Sequence, residues 1–225
     1  MAAETEIKLR IDDAKAFQRK LKKLGAKLVY GGTGRVHELN VLFDTPEGKL
    51  GKSGQLLRIR TETHDPGKKS KPGKLTQRTL VTYKRPPEEA VSPQGEGAAT
   101  ILPAQGRYKV REEIELEVMD SGAMGKVFAG LGMRGWFRYE KYRTTYQLPA
   151  RHKWAKGLLI ELDEVPIGTF VELEGPAEAI DRVAVELGFG RRDYLTTNYL
   201  VLYLDACRKK GVPPGDMLFE AKKKR

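Results

Sequence analysis

The chain has 225 residues and carries 41 Lys and Arg against 30 Asp and Glu, which gives a net charge of +11. Hydrophobic residues make up 40% of the chain, too many for a disordered protein and enough for one domain with a buried core. The single cysteine, Cys207, excludes an internal disulfide and a cysteine-based zinc site. The positive charge predicts an anionic partner, and nucleic acid, a membrane surface and a polyphosphate ligand are the candidates.

The sequence carries no signal for membrane insertion or export. No apolar run is long enough to span a bilayer, and the N-terminus passes directly into charged residues instead of an apolar signal core. One unpaired cysteine is also compatible with a reducing compartment. These features predict a soluble, cytoplasmic protein that does not bind a membrane.

Strand and helix patterns follow one another without a composition break that would divide the chain into two domains. Alternation of polar and apolar residues predicts strands at residues 4–10, 38–44, 55–62, 77–84, 107–118, 137–148, 157–165 and 168–175. Amphipathic periodicity with capping residues predicts helices at residues 12–27, 120–135, 176–188 and 196–211. Residues rich in Pro, Gly, Lys or Ala predict loops at 65–75 and 85–106 and a solvated basic tail at 220–225.

Nearly every strand places apolar side chains on one face and charged side chains on the other. In “ETEIKLR”, Glu4, Glu6 and Lys8 share one face, while Ile7 and Leu9 lie on the opposite face. The same alternation puts these further charges on one face of their strands: Arg58, Arg60, Lys84, Arg111, Glu113, Glu115, Lys141, Arg143, Glu161, Asp163, Glu172 and Glu174.

Two arrangements explain this pattern. An antiparallel sheet with one solvated face is the simpler one. The second is a closed sheet with the charges inside. The alternation alone favours the open sheet, but two features count against it: the charged faces are poor in Ser, Thr, Asn and Gln, and acids come in close pairs while bases come in pairs on other strands. Side chains two apart on a strand start roughly 6.5–7 Å apart, so paired carboxylates can converge on one hard cation and paired bases on adjacent phosphates. An enclosed charged interior therefore implies a ligand.

The ordered motifs resemble those of the CYTH domain, or triphosphate tunnel metalloenzyme, family. That family includes class IV adenylyl cyclases, thiamine triphosphatases and inorganic triphosphatases. The resemblance runs from about Glu4 to Tyr203 and is carried by these segments: “ETEIKLR”, “NVLFDTPEGKL”, “LLRIR”, “LVTYKRP”, “VREEIE”, “EKYRTTY”, “IELDEVPIGTFVELEG” and “TNYLVLY”. The chain departs from the family pattern at Leu42, at Asn198 and in a long loop at residues 86–106.

The resemblance implies an α+β fold in which eight antiparallel strands form a barrel with a charged tunnel and the amphipathic helices pack outside. It implies one such domain over residues 1–206, followed by a basic tail at 207–225.

The resemblance also implies a set of site residues. Divalent metal, Mg²⁺ or Mn²⁺, would be held by Glu4, Glu6, Glu172 and Glu174, together with Asp163, and Glu113 and Glu115 either join them or balance nearby bases. The triphosphate would be bound by Lys8, Arg58, Arg60, Lys84, Arg111, Lys141 and Arg143. Lys84 would act as a base or orient water if neighbouring cations lower its pKa. Glu4, Glu6 and Lys84 are thus the expected catalytic residues.

Three functions are compatible with these residues. The first is metal-dependent hydrolysis of tripolyphosphate, thiamine triphosphate or a similar triphosphate. The second is adenylyl cyclase activity, which also requires an adenine pocket that the sequence does not reveal. The third is binding of nucleic acid or polyphosphate without turnover, which is disfavoured because a binder has no use for paired acids opposite the bases. Trp136 and Trp154 are interpreted as packing residues, and a homodimer is compatible with the sequence.

Overall fold

The computed structural model describes residues 2–30, 32–64, 76–87 and 106–220. The predicted loop at 65–75, most of the loop at 86–106 and the last five residues of the tail lie outside these ranges. Within them the chain forms five helices: α1 Ala14–Leu24, α2 Lys49–Lys52, α3 Ser121–Gly130, α4 Ala177–Glu186 and α5 Tyr199–Lys210. It forms nine strands: β1 Ala2–Ile11, β2 Lys27–Leu28, β3 Arg35–Asp44, β4 Leu56–His64, β5 Thr76–Arg85, β6 Lys109–Val118, β7 Arg134–Gln147, β8 Leu159–Val165 and β9 Gly168–Glu174.

Eight of these strands form a closed antiparallel barrel. Their order is β7, β3, β4, β5, β6, β1, β9 and β8, and pairing of β8 with β7 closes the ring. The two-residue strand β2 extends the sheet along β7. The predicted α+β fold with an eight-stranded antiparallel barrel is therefore confirmed. Because the barrel is closed, the charged strand faces share one interior. The charges therefore lie inside a closed sheet and not on the solvated face of an open one.

The largest apolar cluster lies outside the barrel, between its wall and two helices. Ile7, Leu9 and Leu173 project outward from β1 and β9 and are fully buried, and α4 contributes Ile180 and Val183. Burying one such side chain contributes about 1.5–3 kcal/mol, so the amphipathic helices and the outward strand faces stabilise each other. Within the described residues, no helix is both long and apolar enough to cross a bilayer.

Helix α1 shows how the local sequence fixes these outer helices. The Asp13 carboxylate accepts a hydrogen bond from the Ala16 N–H at 2.9 Å and so caps the first turn. Phe17 and Leu21 face the core, and Gly25 ends the helix with a φ of 76°. A left-handed residue at this position is normally glycine. The helix predicted at 12–27 is thus present, with both termini set by the residues that the sequence offers.

The end of the chain lies against the barrel. Helix α5 begins at the Asn198 cap and runs past residue 207, where the tail was predicted to start, to Lys210. Beyond it, the Met217 N–H donates to the Arg138 carbonyl at 2.9 Å, and the Met217 side chain is fully buried. Residues up to 217 therefore pack with β7, and the structure assigns them to the same folded unit.

One outward face is covered less well. Ile114 and Leu116 on β6 are 42% and 60% exposed. The resemblance implies amphipathic helices outside the barrel, and within the described ranges these two side chains of β6 stay exposed.

Candidate active site in the barrel interior

The barrel encloses a cavity of about 1030 Å³. Thirteen of the fourteen predicted site residues line it: Glu4, Glu6, Lys8, Arg58, Arg60, Lys84, Arg111, Glu113, Glu115, Lys141, Arg143, Glu172 and Glu174. They come from β1, β4, β5, β6, β7 and β9. Strand alternation and closure bring together charges that lie far apart in the sequence.

Asp163 is the exception, because it is fully buried behind the cavity wall. Its Oδ1 accepts from Arg143 Nε at 2.7 Å, and its Oδ2 accepts from Arg143 Nη2 at 2.7 Å and from Lys141 Nζ at 3.0 Å. The Tyr199 hydroxyl donates to the same Oδ2 at 2.8 Å. A carboxylate with this many partners is suited to orienting the two cations toward the cavity.

Lys8 lies between two of the predicted metal-binding carboxylates. Its Nζ is 3.1 Å from Glu6 Oε1 and 3.0 Å from Glu172 Oε1. Glu6 also accepts a short hydrogen bond from Lys109. Lys109 was not among the predicted residues. It lies two positions before Arg111 on the same strand face, so the alternation extended by one step would have included it.

Lys84 bridges β1 and β6. It donates a short hydrogen bond to Glu4, and its Nζ is 3.1 Å from Glu113 Oε2. Burial lowers the pKa of Lys84, but the carboxylates of Glu4 and Glu113 outweigh burial and leave the pKa raised. The suggested role of Lys84 as a base required the opposite shift. The role of Lys84 as a base stays a prediction, and the carboxylates around it favour the protonated ammonium group.

Glu38 on β3 is the most important residue that the sequence did not reveal. It is 1% exposed, and its carboxylate oxygens lie 3.2 Å from Arg60 Nε, 3.4 Å from Lys141 Nζ and 3.7 Å from Arg143 Nε. Burial acts to raise the pKa of Glu38, but Arg60, Lys141 and Arg143 bring it down to about 2. Glu38 is therefore ionised and holds three cations of the cavity wall together.

Arg58 and Arg111 line the cavity and differ in how their guanidinium groups are hydrogen-bonded. Arg58 donates to the Tyr139 hydroxyl at 3.3 Å and to Thr82 Oγ1 at 3.1 Å, while its buried Nε has no hydrogen-bond partner among the described residues. Arg111 donates a short hydrogen bond to the Gly54 carbonyl. A buried guanidinium N–H without a partner is costly, so the Arg58 Nε indicates a place for an anionic ligand.

The carboxyl groups of Glu174 and Glu161 lie close enough to influence each other's ionisation. Burial, reinforced by the carboxylates of Glu161 and Glu4, raises the pKa of Glu174 to about 8. Burial also raises the pKa of Glu161 to about 7, with Arg143 opposing and Glu172 adding to the shift. Glu174 forms no ion pair in the part of the chain that the structure describes. An additional cation would relieve this repulsion.

The predicted metal ligands have the right chemistry for a hard divalent cation. Their side chains are not placed to bind one together in this structure. All the predicted ligands are carboxylates, which are the groups that Mg²⁺ prefers. Among the described residues, no three His, Cys, Asp or Glu side chains are placed to hold a metal ion together. The reason is local, because lysine ammonium groups occupy the carboxylates of Glu4, Glu6 and Glu172. Metal binding therefore requires some of these carboxylates to exchange a lysine for the metal.

Fold and site together define a class of proteins in which a closed antiparallel barrel carries many acids and bases on the wall of one interior cavity. The CYTH domain family model matches residues 2–187. The chain belongs to the CYTH domain family.

Relatives and solved structures agree with this assignment. A protein of Methanocaldococcus jannaschii named “Putative adenylate cyclase” is 27% identical over 172 residues, which cover 76% of this chain and 75% of the relative. The PH1819 protein of Pyrococcus horikoshii OT3 is 21% identical, with a TM-score of 0.66 and coverage of 90% of this chain and 99% of the other. A protein of Hippeastrum, described as a putative adenylyl cyclase that reveals a dominant triphosphatase activity, is 21% identical with a TM-score of 0.50 and coverage of 94% and 97%. At these identities the two solved structures establish the shared fold.

Proposed function

We propose that this protein hydrolyses a triphosphate in a reaction that depends on a divalent metal ion. The observation that carries the proposal is the single barrel cavity, in which seven predicted cations and six predicted carboxylates face the same space. The substrate class includes inorganic tripolyphosphate and organic triphosphates such as thiamine triphosphate.

The charges of the substrate explain the basic wall. A triphosphate carries roughly four negative charges, which must be neutralised before a nucleophile can approach a phosphorus atom. Arg58, Arg60, Lys141 and Arg143 supply positive charge from β4 and β7. Their geometry is fixed before the substrate arrives, because Glu38 and Asp163 hold three of them. Fixed cations avoid part of the reorganisation that would otherwise add to the barrier.

The carboxylates explain why the proposed reaction depends on a divalent metal ion. Glu4, Glu6, Glu172 and Glu174 would hold Mg²⁺ or Mn²⁺, which supplies charge neutralisation and a more acidic bound water. Asp163 is left out of this set because Lys141, Arg143 and Tyr199 occupy its oxygens. When a carboxylate releases its lysine to bind metal, that ammonium group becomes available to phosphate. Lys8 and Lys84 are placed to make this exchange.

Adenylyl cyclase activity is the second candidate, and the name of the Methanocaldococcus relative favours it. The same cations and carboxylates would serve it, with the ribose 3′-hydroxyl as the nucleophile and pyrophosphate as the leaving group. The Hippeastrum protein, which is described as a putative adenylyl cyclase with a dominant triphosphatase activity, is a protein of this fold whose name and main activity differ. The relative's name therefore does not decide between the two reactions.

Product identification tests the proposal. Purified protein is incubated with Mg²⁺ or Mn²⁺ and with tripolyphosphate, thiamine triphosphate or ATP in separate reactions. Orthophosphate as the main product supports the triphosphatase. Cyclic AMP with pyrophosphate as the main product from ATP assigns the protein as a cyclase. Binding with a steep dependence on salt and without any product indicates a polyanion-binding protein instead.

A further inference from the structure

Helix α5 lies beyond the part of the chain that the family model matches, which ends at residue 187. The segment before the helix is tied to the barrel at Lys8. The Lys8 N–H donates to the Leu195 carbonyl at 2.8 Å, and the Leu195 N–H donates to the Lys8 carbonyl at 2.9 Å. The Asn198 side chain then caps α5. These contacts place Tyr199, the first residue of the helix, at the wall of the cavity.

The Tyr199 side chain contacts charged residues of three strands. Its hydroxyl donates to Asp163 Oδ2 at 2.8 Å, and the same oxygen accepts hydrogen bonds from Lys141 and Arg143. The Tyr199 ring centroid is 5.1 Å from Lys8 Nζ and 5.7 Å from Lys141 Nζ, which is the range of a cation–π contact. One side chain therefore contacts two lysines of the cavity wall and the carboxylate that orients two of the phosphate-binding cations.

Packing accounts for the ring of Tyr199 but not for its hydroxyl. The ring meets that of Phe170 edge-on, with 5.6 Å between the centroids, and Tyr199 is 6% exposed. A phenylalanine would make the same contact and would bury no polar group. Burial and the carboxylates of Asp163 and Glu172 raise the pKa of Tyr199 well above its ordinary value. The hydroxyl therefore keeps its proton and serves as a donor.

We propose that Tyr199 is a positioning residue that orders cations of the cavity before a triphosphate binds. Its hydroxyl fixes the carboxylate of Asp163, which in turn holds Lys141 and Arg143. Its ring limits the positions open to the ammonium group of Lys8. Every long side chain that ligand binding must immobilise lowers the affinity, so cations that are ordered in advance bind phosphate more tightly. This inference rests on the proposed triphosphate site.

Steady-state kinetics with tripolyphosphate and Mg²⁺ test the role of the hydroxyl. Tyr199→Phe removes the hydroxyl and keeps the ring. If Lys141 and Arg143 must then be ordered by the ligand, the affinity falls by about 10-fold. Because this loss applies equally to the bound substrate and the transition state, KM should rise by about 10-fold while kcat stays within about 2-fold.

The matched control is Tyr203→Phe on the same helix. The Tyr203 hydroxyl donates to the Asp216 carbonyl at 3.3 Å, and Tyr203 does not line the cavity. It should leave KM unchanged. A purely structural role for the Tyr199 hydroxyl would reduce the amount of folded protein, which lowers kcat and leaves KM unchanged. An unchanged KM in Tyr199→Phe, or an equal rise of KM in Tyr203→Phe, would overturn the assignment.

A binding measurement separates this inference from the proposed reaction. Tripolyphosphate is titrated by calorimetry into wild type, Tyr199→Phe, Tyr199→Leu and Tyr203→Phe in the presence of a chelator, so that neither metal nor turnover is needed. Kd should rise by about 10-fold in Tyr199→Phe and further in Tyr199→Leu, which also loses the ring. This result supports the inference even if no orthophosphate is ever released. Equal Kd values for wild type and Tyr199→Phe contradict it even if the protein hydrolyses tripolyphosphate, and so does a wild type that does not bind tripolyphosphate.

Discussion

Arg143 holds Asp163 through two parallel hydrogen bonds, Nε to Oδ1 and Nη2 to Oδ2, each 2.7 Å long. Asp163 is fully buried, and Arg143 also contacts Glu172 Oε2 at 2.5 Å. This two-pronged pairing fixes the plane of the guanidinium. One of the cations assigned to phosphate binding is therefore oriented by a residue that does not itself line the cavity.

Asp163→Asn tests how much the fold depends on this pair. Losing the buried negative charge leaves Arg143 and Lys141 with less compensation, and we expect a loss of about 3 kcal/mol or more in the free energy of unfolding. Glu164→Gln is the matched control on the same strand, because Glu164 and Arg35 are 42% and 41% exposed whereas Asp163 is fully buried, and ion pairs open to solvent contribute about 0–1 kcal/mol. Urea unfolding of both variants measures the difference. Equal stability of the two would contradict the assigned role.

Glu38→Gln tests whether Glu38 organises the basic wall. Without its charge, Arg60, Lys141 and Arg143 repel one another, so the ligand-free protein should lose about 3 kcal/mol of stability. A bound anion should then replace the missing negative charge of Glu38. Tripolyphosphate should therefore raise Tm more in Glu38→Gln than in wild type. Thermal unfolding with and without tripolyphosphate measures this, with Glu186→Gln on the surface of α4 as the control. A smaller ligand-induced rise in Glu38→Gln than in wild type would count against the role.

The double variant Glu6→Gln with Glu174→Gln tests the carboxylates assigned to metal. We expect metal-dependent turnover to fall by at least about 100-fold, because even residues that only support metal ligands commonly account for 10–100-fold. The fold should be retained, since both side chains face the cavity and glutamine has nearly the same volume. Orthophosphate release and circular dichroism are compared with Glu117→Gln, an exposed acid on β6. Activity close to that of the control would remove these residues from the metal set.

Glu174 should also make the metal-free protein sensitive to pH. Its pKa of about 8 in the folded state lies above the ordinary value of 4.5, so the protonated form is the one that folding favours. That contribution is complete below about pH 4.5 and is lost as the pH rises through 8. Glu174→Gln cannot ionise, so it should become more stable than wild type as the pH rises from 5 to 9. We expect a Tm difference of about 3 °C or more, since 1 kcal/mol shifts Tm by roughly 2–4 °C at this size.

Added Mg²⁺ should reverse this difference. The metal stabilises the ionised carboxylate and releases its proton, so it should raise the Tm of wild type at pH 8.5 and have little effect on Glu174→Gln. Parallel pH profiles for the two proteins without metal would show that Glu174 titrates normally.

Much of the fold and site could be predicted because strand alternation is a local property. Ile7 and Lys8 are neighbours in sequence that face the outer core and the cavity, and this follows from the period of two alone. The closed barrel came from the motif resemblance, since alternation equally allows an open sheet with a solvated face. Lys109 was predictable in the same way as Arg111 but was missed.

The remaining features depend on contacts between distant segments. Glu38 lies in a strand with no other acid on its face until Asp44, so nothing in the local sequence marks it as the partner of three cations. The pKa of Lys84 depends on Glu4 and Glu113, which reach it only across the barrel. The β-bulge at Trp136, where Leu42 lies opposite Phe137 and Phe43 opposite Gly135, depends on the pairing register of β3 and β7, and a one-residue bulge cannot be inferred from one strand.

Orthophosphate release is the most direct measurement of the central claim. Tripolyphosphate and ATP are offered to the purified protein with Mg²⁺, with Mn²⁺ and after removal of divalent metal by a chelator. We expect orthophosphate as the main product, with release that requires the metal and is lost in the Glu6→Gln, Glu174→Gln variant. Release that continues without divalent metal, or no orthophosphate from either substrate with either metal, would contradict it.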